Sequence, residues 1–130
     1  MKKIMRRAMR LFAGMAMFLA LLPFGGTAVA QNANEKLVVV THVDLTPNYE
    51  ADGTKLLQQF NAESHRDAGV VRFELLQDTG RPNHFTIVSV WENQKAFEQH
   101  EEASHTKQFR EKLQPMLGSP FDERLHHILN

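Results

Sequence analysis

Two histidines, His100 and His105, are the residues best suited to acid–base chemistry in this chain of 130 residues. An imidazole has a pKa near neutral pH, so it can accept a proton from a substrate and return it. The five-residue spacing would place the two side chains about 140° apart on a continuous helix. A shared catalytic site therefore requires a break in the helix, which we expect around Ala103-Ser104. The alternative is that each histidine caps a helix or packs in the core.

Four further residues are candidates for lining a substrate pocket: Trp91, Phe97, Phe109 and His42. The only tryptophan of the chain lies at the end of a predicted strand, where it is either a core residue or a pocket wall. The two phenylalanines have helical spacing that is also typical of core packing. His42 shares a strand face with Val38 and Val40. It lines the pocket if helices cover that face, and it is a buried interface residue if a partner subunit does.

The adjacent histidines His126 and His127 do not predict a metal site. Neighbouring residues of a strand point to opposite faces, so the two imidazoles cannot bind one ion together. The chain has no cysteine and no His-x-x-x-His pair, which are typical of zinc sites. No glycine-rich loop that could hold a phosphate follows the leader. We therefore expect no metal ion.

The first 30 residues have the three zones of a secretory signal peptide. A basic start at residues 2–10 precedes the apolar run Leu11–Phe24, and Ala28-Val29-Ala30 has the small-x-small pattern of a cleavage site. The alternative is an uncleaved anchor, but the apolar run is shorter than the roughly 20 residues that span a bilayer. We expect cleavage near Ala30 and a periplasmic or secreted protein.

The mature chain is expected to form one domain at residues 37–130, after a polar tether at residues 31–36. The full chain has 15 basic and 15 acidic residues, and removal of the five basic residues of the leader leaves a net charge of −5. An acidic domain without a basic cluster is a poor candidate for binding nucleic acid or anionic lipid. Because a small domain without disulfides has limited means of stabilisation, oligomerisation is expected.

Hydrophobic periodicity and turn residues predict the order β-α-β-β-α-β, with the second helix broken. The predicted strands are Leu37–Leu45, Val70–Gln77, His84–Glu92 and Glu123–Leu129; the helices are Tyr49–His65 and a segment capped by Asn93 that restarts at Ser104. A split βαβ arrangement gives a ferredoxin-like α+β domain, in which both helices lie on one face of a four-stranded antiparallel sheet. The other face still carries valines, so we expect a second copy of the chain to cover it.

The third strand and the broken helix carry the motifs Trp91-Glu92, Ala96-Phe97, His100, Ser104-His105 and Phe109, and the second strand carries Phe73-Glu74-Leu75. Together these motifs resemble those of the antibiotic biosynthesis monooxygenase family. The resemblance implies a ferredoxin-like subunit that pairs sheet to sheet as a dimeric α+β barrel.

The resemblance also implies oxygenation of a small quinol or phenol without metal, flavin or haem. Such a substrate becomes an electron-rich anion when it loses a proton, and it can then reduce O₂ itself. The protein must supply an apolar pocket, a base and donors that hold the anion; His100 and His105 are the implied proton acceptors. Nicotinamide and free flavin are scarce outside the cytoplasm, so export favours chemistry without them.

Two alternatives use the same pocket: a non-enzymatic binding module for an aromatic or haem-like ligand, and an isomerase. The first is favoured by Ser89, because many family members carry an acidic residue two positions before the tryptophan. The haem-degrading branch would need Asn, Trp and His where this chain has Thr41, His100 and Arg110, so that activity is disfavoured.

Overall fold

The sheet organises the molecule, and each of its strands is paired with an antiparallel neighbour. The computed structural model describes residues 34–130, so the predicted signal peptide lies outside the described residues. The strands are β1 (Leu37–Asp44), β2 (Val70–Gln77), β3 (His84–Trp91) and β4 (Asp122–His127). They lie in the order β2-β3-β1-β4. This is the predicted ferredoxin-like α+β sheet.

Three helices pack on one face of this sheet: α1 (Glu50–Ser64), α2 (Gln94–Glu102) and α3 (Ser104–Leu113). Short 3-10 turns, Pro47–Tyr49 and Gln114–Met116, precede α1 and follow α3. Element boundaries differ from the predicted ones by one or two residues, most clearly in β4, which begins and ends earlier than expected. Within the described residues, no helix has the length and apolar character needed to cross a membrane.

The predicted break between α2 and α3 is confirmed. The Asn93 side chain caps α2 by accepting a hydrogen bond from the Ala96 amide, 2.9 Å away. At Ala103 the backbone is extended, with φ −64° and ψ 144°, which ends α2 and starts α3 in a new direction. His100 in the last turn of α2 and His105 in the first turn of α3 are thereby brought to the same place.

Strand alternation divides the sheet into a covered face and an open face. In β1 the buried residues Val39, Thr41 and Val43 point toward the helices, and the residues between them point away. The core lies between sheet and helices and includes Trp91 and Leu57, both fully buried. We call the opposite side the open face; its centre is formed by Val38, Val40, Val88 and Val90, which pair across β1 and β3.

Candidate functional site

Three side chains from separate segments meet at the break between α2 and α3. The Asp67 carboxylate lies 2.6 Å from Nδ1 of His100 and 3.0 Å from Nε2 of His105, in both cases through Oδ2. Thr106 adds a hydroxyl 3.5 Å from Nδ1 of His100. We refer to Asp67, His100 and His105 as the Asp-His-His cluster. The structure thus brings together both histidines predicted to be catalytic.

A tight turn between α1 and β2 positions Asp67. Its backbone amide donates to the Ser64 carbonyl over 3.2 Å, which continues the end of α1. Gly69 then adopts φ +80°, a conformation that side-chain-bearing residues rarely adopt. A Cβ at Gly69 would also lie 2.4 Å from the Cβ of Ala96. Glycine at this position therefore lets the turn pack directly against α2, beside the histidines.

His100 lies in an aromatic environment and is only 4% exposed. The ring centroid of Trp91 is 4.7 Å from that of His100, and those of Phe60 and Phe73 are 5.5 and 6.0 Å away. Burial lowers the pKa of His100, which the hydrogen bond and charge of Asp67 oppose. The net lowering favours the neutral imidazole at neutral pH.

The cluster also defines which ring nitrogens carry hydrogen. An ionised carboxylate only accepts hydrogen bonds, so the neutral ring of His100 must donate through Nδ1–H. Its Nε2 then holds the free lone pair. By the same reasoning, His105 donates through Nε2–H and keeps its lone pair on Nδ1. This Asp–His arrangement orients an imidazole as a general base.

His100 lines a cleft beneath the helices, of about 300 Å³ counting its open mouth. The cleft is lined mainly by aromatic and polar side chains: Phe60, Phe73, Phe97, Phe109, Thr41, Ser89 and Arg110. Its inner part has room for about one water molecule. His105 instead lines a separate shallow groove between α1 and α3, with Gln59 and Lys112.

An ion-pair network surrounds the mouth of the cleft. Arg110 bridges Glu101 at 2.6 Å and Glu123 at 3.0 Å, and its guanidinium carbon lies 5.2 Å from the ring centre of Phe121. The Glu101 atom Oε1 is buried and has no hydrogen-bond partner. Burial raises the pKa of Glu101, with a further contribution from Glu123, whereas Arg110 opposes the rise. An unpaired carboxylate oxygen beside the cleft can accept a hydrogen bond from a bound hydroxyl.

The predicted substrate-binding residues divide into three groups. Phe97 and Phe109 line the cleft. Trp91 is fully buried behind it, where its indole N–H donates to the Ser89 hydroxyl over 3.0 Å. His42 does not line the cleft, because alternation along β1 places it on the open face, where its Nδ1 lies 3.3 Å from the Thr86 hydroxyl.

Several residues of the site are not among those that the sequence predicts. Asp67 lies in a turn distant from both histidines along the chain, and no local spacing connects it to them. Glu101 directly follows His100, and its burial depends on contacts with α3 and β4. Thr41 and Arg110 had been considered only as departures from the haem-degrading pattern, yet both line the cleft together with His100.

Comparison with known proteins agrees with the fold and confirms the family that the sequence resembles. Residues 36–112 match the family model described as "Antibiotic biosynthesis monooxygenase". The Synechocystis protein sll1783 is 20% identical over 128 residues, covering 96% of this chain and 87% of the relative. "Putative monooxygenase YcnE" of Bacillus subtilis is 22% identical over 86 residues, covering 66% and 90% of the two chains.

Solved structures show the same architecture. A Nitrosomonas europaea protein, titled as a "putative antibiotic biosynthesis monooxygenase", aligns with a TM-score of 0.69 at 18% identity, covering 74% of this chain and 92% of that one. PA3566 from Pseudomonas aeruginosa aligns with a TM-score of 0.70 at 19% identity, covering 75% and 98%. At these identities the alignments establish the fold.

Proposed function

Since this chain belongs to the antibiotic biosynthesis monooxygenase family, we propose that it oxygenates a small quinol or phenol in the cleft beside His100, using the substrate as the source of electrons. The observation that carries this proposal is the orientation of His100. Asp67 accepts its Nδ1–H over 2.6 Å, and the ring forms part of the wall of an aromatic cleft. The cleft thus has a base held in one tautomer within apolar surroundings.

The first step is proton transfer from a substrate hydroxyl to Nε2 of His100. Burial favours the neutral, proton-accepting form of this imidazole, and Asp67 stabilises the imidazolium that results. The phenylalanine walls favour a planar aromatic ring. A second substrate hydroxyl can donate to the unpaired Oε1 of Glu101. A dihydroxy-aromatic therefore fits the polar groups better than a monohydric phenol.

The second step transfers electrons from the substrate anion to O₂. One oxygen atom bonds to a ring carbon, and the O–O bond then breaks so that the other oxygen leaves as water. For a hydroquinone the products are a hydroxyquinone and water, which balances one quinol and one O₂. The substrate supplies all the electrons, and the proton taken by His100 returns in the water that leaves.

Entry of a ring requires the mouth of the cleft to open, because the inner space holds about one water molecule. Phe121 and Glu123 close the mouth, and both contact Arg110. They belong to β4 and the segment before it, which form the edge of the sheet. Outward movement of the Phe121 and Glu123 side chains would enlarge the cleft while β4 stays paired with β1.

Oxygen uptake by the purified protein with a panel of quinols tests the proposal. We expect turnover above autoxidation, one labelled oxygen atom from ¹⁸O₂ in the product, and no stoichiometric peroxide. His100→Gln should reduce kcat by about 100-fold or more, the usual contribution of a general base. His127→Gln, at the exposed end of β4 and on the opposite side of the strand from the open face, is the control and should retain full activity. Turnover that survives in His100→Gln would contradict the proposal.

A binding module is the second candidate, and the geometry of Ser89 favours it. The Ser89 hydroxyl, which accepts a hydrogen bond from Trp91, carries no charge and is a far weaker base than a carboxylate, so it does not replace the acidic residue that many family members carry there. A binding module would be stabilised by aromatic ligands recovered chemically unchanged. An isomerase would continue to work under anaerobic conditions, whereas an oxygenase would stop.

We also propose that the protein acts as a homodimer after export. The uncovered valines of the open face support a second copy seated on the sheet, and the zones of residues 1–30 support removal of the leader. N-terminal sequencing of the protein recovered from outside the cytoplasm should give Gln31 as the first residue. A chain that keeps residues 1–30 would contradict cleavage.

A further inference from the structure

The Asp-His-His cluster offers three metal-ligating groups at one point. One carboxylate oxygen and one nitrogen from each imidazole all lie within 4.8 Å of one another. The three residues come from the α1–β2 turn, the end of α2 and the start of α3. Each of these segments is fixed by backbone hydrogen bonds, including Ala103 N–H to the His100 carbonyl at 3.1 Å. The convergence is therefore a property of the fold.

The donor set matches the preference of a particular class of ion. Two imidazoles and one carboxylate suit divalent transition metals such as Zn²⁺, and three protein ligands with one open position are typical of zinc sites that bind water or substrate. In a tetrahedral site with bonds near 2.0–2.1 Å, neighbouring ligand atoms are about 3.3 Å apart. The two distances to Asp67, 2.6 and 3.0 Å, need only small increases.

We propose that Asp67, His100 and His105 bind a divalent transition metal ion of the Zn²⁺ type. The ligands are a carboxylate oxygen of Asp67, Nδ1 of His100 and Nε2 of His105. This departs from the expectation drawn from the sequence, because the third ligand comes from a distant turn.

An ion can reach this site from solvent. His105 is 22% exposed and Asp67 17% exposed, whereas His100 is 4% exposed. His105 also lines the groove between α1 and α3, which opens at the surface. Rotation of the His105 side chain can bring its Nε2 closer to Nδ1 of His100, which lies within 4.8 Å of it. His100 provides the buried end of the site, and the other two ligands provide the entrance.

Metal binding and the proposed oxygenation compete for the same imidazole. A metal on Nδ1 of His100 uses the lone pair there, so the ring hydrogen must move to Nε2. That nitrogen can then no longer accept a proton from a quinol. Where the protein is an oxygenase, Zn²⁺ should inhibit it, and a chelator should restore full activity. The metal site itself does not depend on the proposed function.

Titration with Co²⁺ tests the site without any substrate. The probe is added to tag-free, chelator-treated protein, and the visible absorption of four-coordinate cobalt is recorded. We expect saturation at one Co²⁺ per chain, displacement by Zn²⁺, and a higher Tm with Zn²⁺ than with EDTA. Asp67→Asn and His105→Gln should each weaken binding by at least about tenfold, because even the loss of a group that hydrogen-bonds a metal ligand has an effect of this size.

The controls are His126→Gln and His127→Gln, which remove exposed imidazoles from β4 and should bind Co²⁺ like the parent. His105→Gln changes a partly exposed residue, so its fold can be checked by its Tm in EDTA. The proposal is overturned if stoichiometric Co²⁺ gives no such absorption. It is also overturned if the absorption survives in Asp67→Asn, His105→Gln and their combination. Either result leaves the oxygen-uptake assay in EDTA unaffected, so the two proposals fail independently.

Discussion

The covered and open faces of the sheet differ in the position and burial of their polar side chains. Thr41 and Ser89 on the covered face, and His100 on the helix α2 that packs against it, are buried, and each has a hydrogen-bond partner. On the open face, the partly exposed valines form an apolar centre, and charged pairs lie at the edges. Buried polar groups are costly unless they are paired. Their concentration on one face agrees with the catalytic site proposed there, while the open face has the composition of a packing surface.

The largest expected effect is a difference in the free energy of unfolding between substitutions at two neighbouring residues of β3 that point to opposite faces. Ile87 is 3% exposed in the core, whereas Val88 lies on the open face. Ile87→Ala should lower the free energy of unfolding by about 2–5 kcal/mol, because a buried side chain is lost and a cavity remains. Val88→Ala should cost less than about 1 kcal/mol in dilute protein. Urea denaturation of both variants measures the difference; equal losses would remove the distinction between the faces.

The next largest effect should be on self-association. Light scattering of the parent should give about twice the mass of the mature chain. Val40→Asp places a charge at the centre of the open face, where a partner would desolvate it. We expect this variant to be monomeric at concentrations where the parent is dimeric.

Thr46→Asp, outside the sheet, serves as the control for an added charge and should stay dimeric. A parent protein that is monomeric at high concentration would contradict dimerisation through this face. A dimeric Val40→Asp variant would show that the subunits meet elsewhere.

The sequence predicted the elements well because their signals are local. Alternation in β1 and β3, the Asn93 cap and the interruption near Ala103 all depend on residues close together in the chain. The face of His42 could not be assigned in this way, because both sides of β1 carry apolar residues. Asp67 was missed for a related reason: its partners are 33 and 38 positions away. Long-range packing, which no periodicity records, brings them together.

The burial of His100 should appear in the pH dependence of stability. Burial lowers its pKa, and His105 and Arg110 lower it further, while Asp67 raises it. The folded protein therefore binds this proton more weakly than the unfolded chain does. The contribution of the neutral His100 to the free energy of unfolding is therefore complete above the ordinary pKa of about 6.5. It is lost as the pH falls through the lower pKa that His100 has in the folded protein.

NMR titration of the imidazoles in EDTA measures this difference. His100 should titrate below the ordinary histidine value of about 6.5, and Asp67→Asn should lower its midpoint further, because the group that raises the pKa is removed. His100→Gln should weaken the loss of stability on acidification. A His100 midpoint at or above about 6.5 would contradict the effect of burial.

The smallest effect is expected from the ion pair at the edge of the open face. Arg72 and Glu74 are 2.5 Å apart, with side chains 55% and 42% exposed. Solvent and salt screen such an exposed pair. Arg72→Ala should leave the denaturation midpoint of dilute protein unchanged. Arg110→Ala should lower it measurably, because Glu101 would keep a partly buried carboxylate without its partner. A shift for Arg72→Ala that appears only at dimer-forming concentrations would place this pair at the edge of the subunit interface.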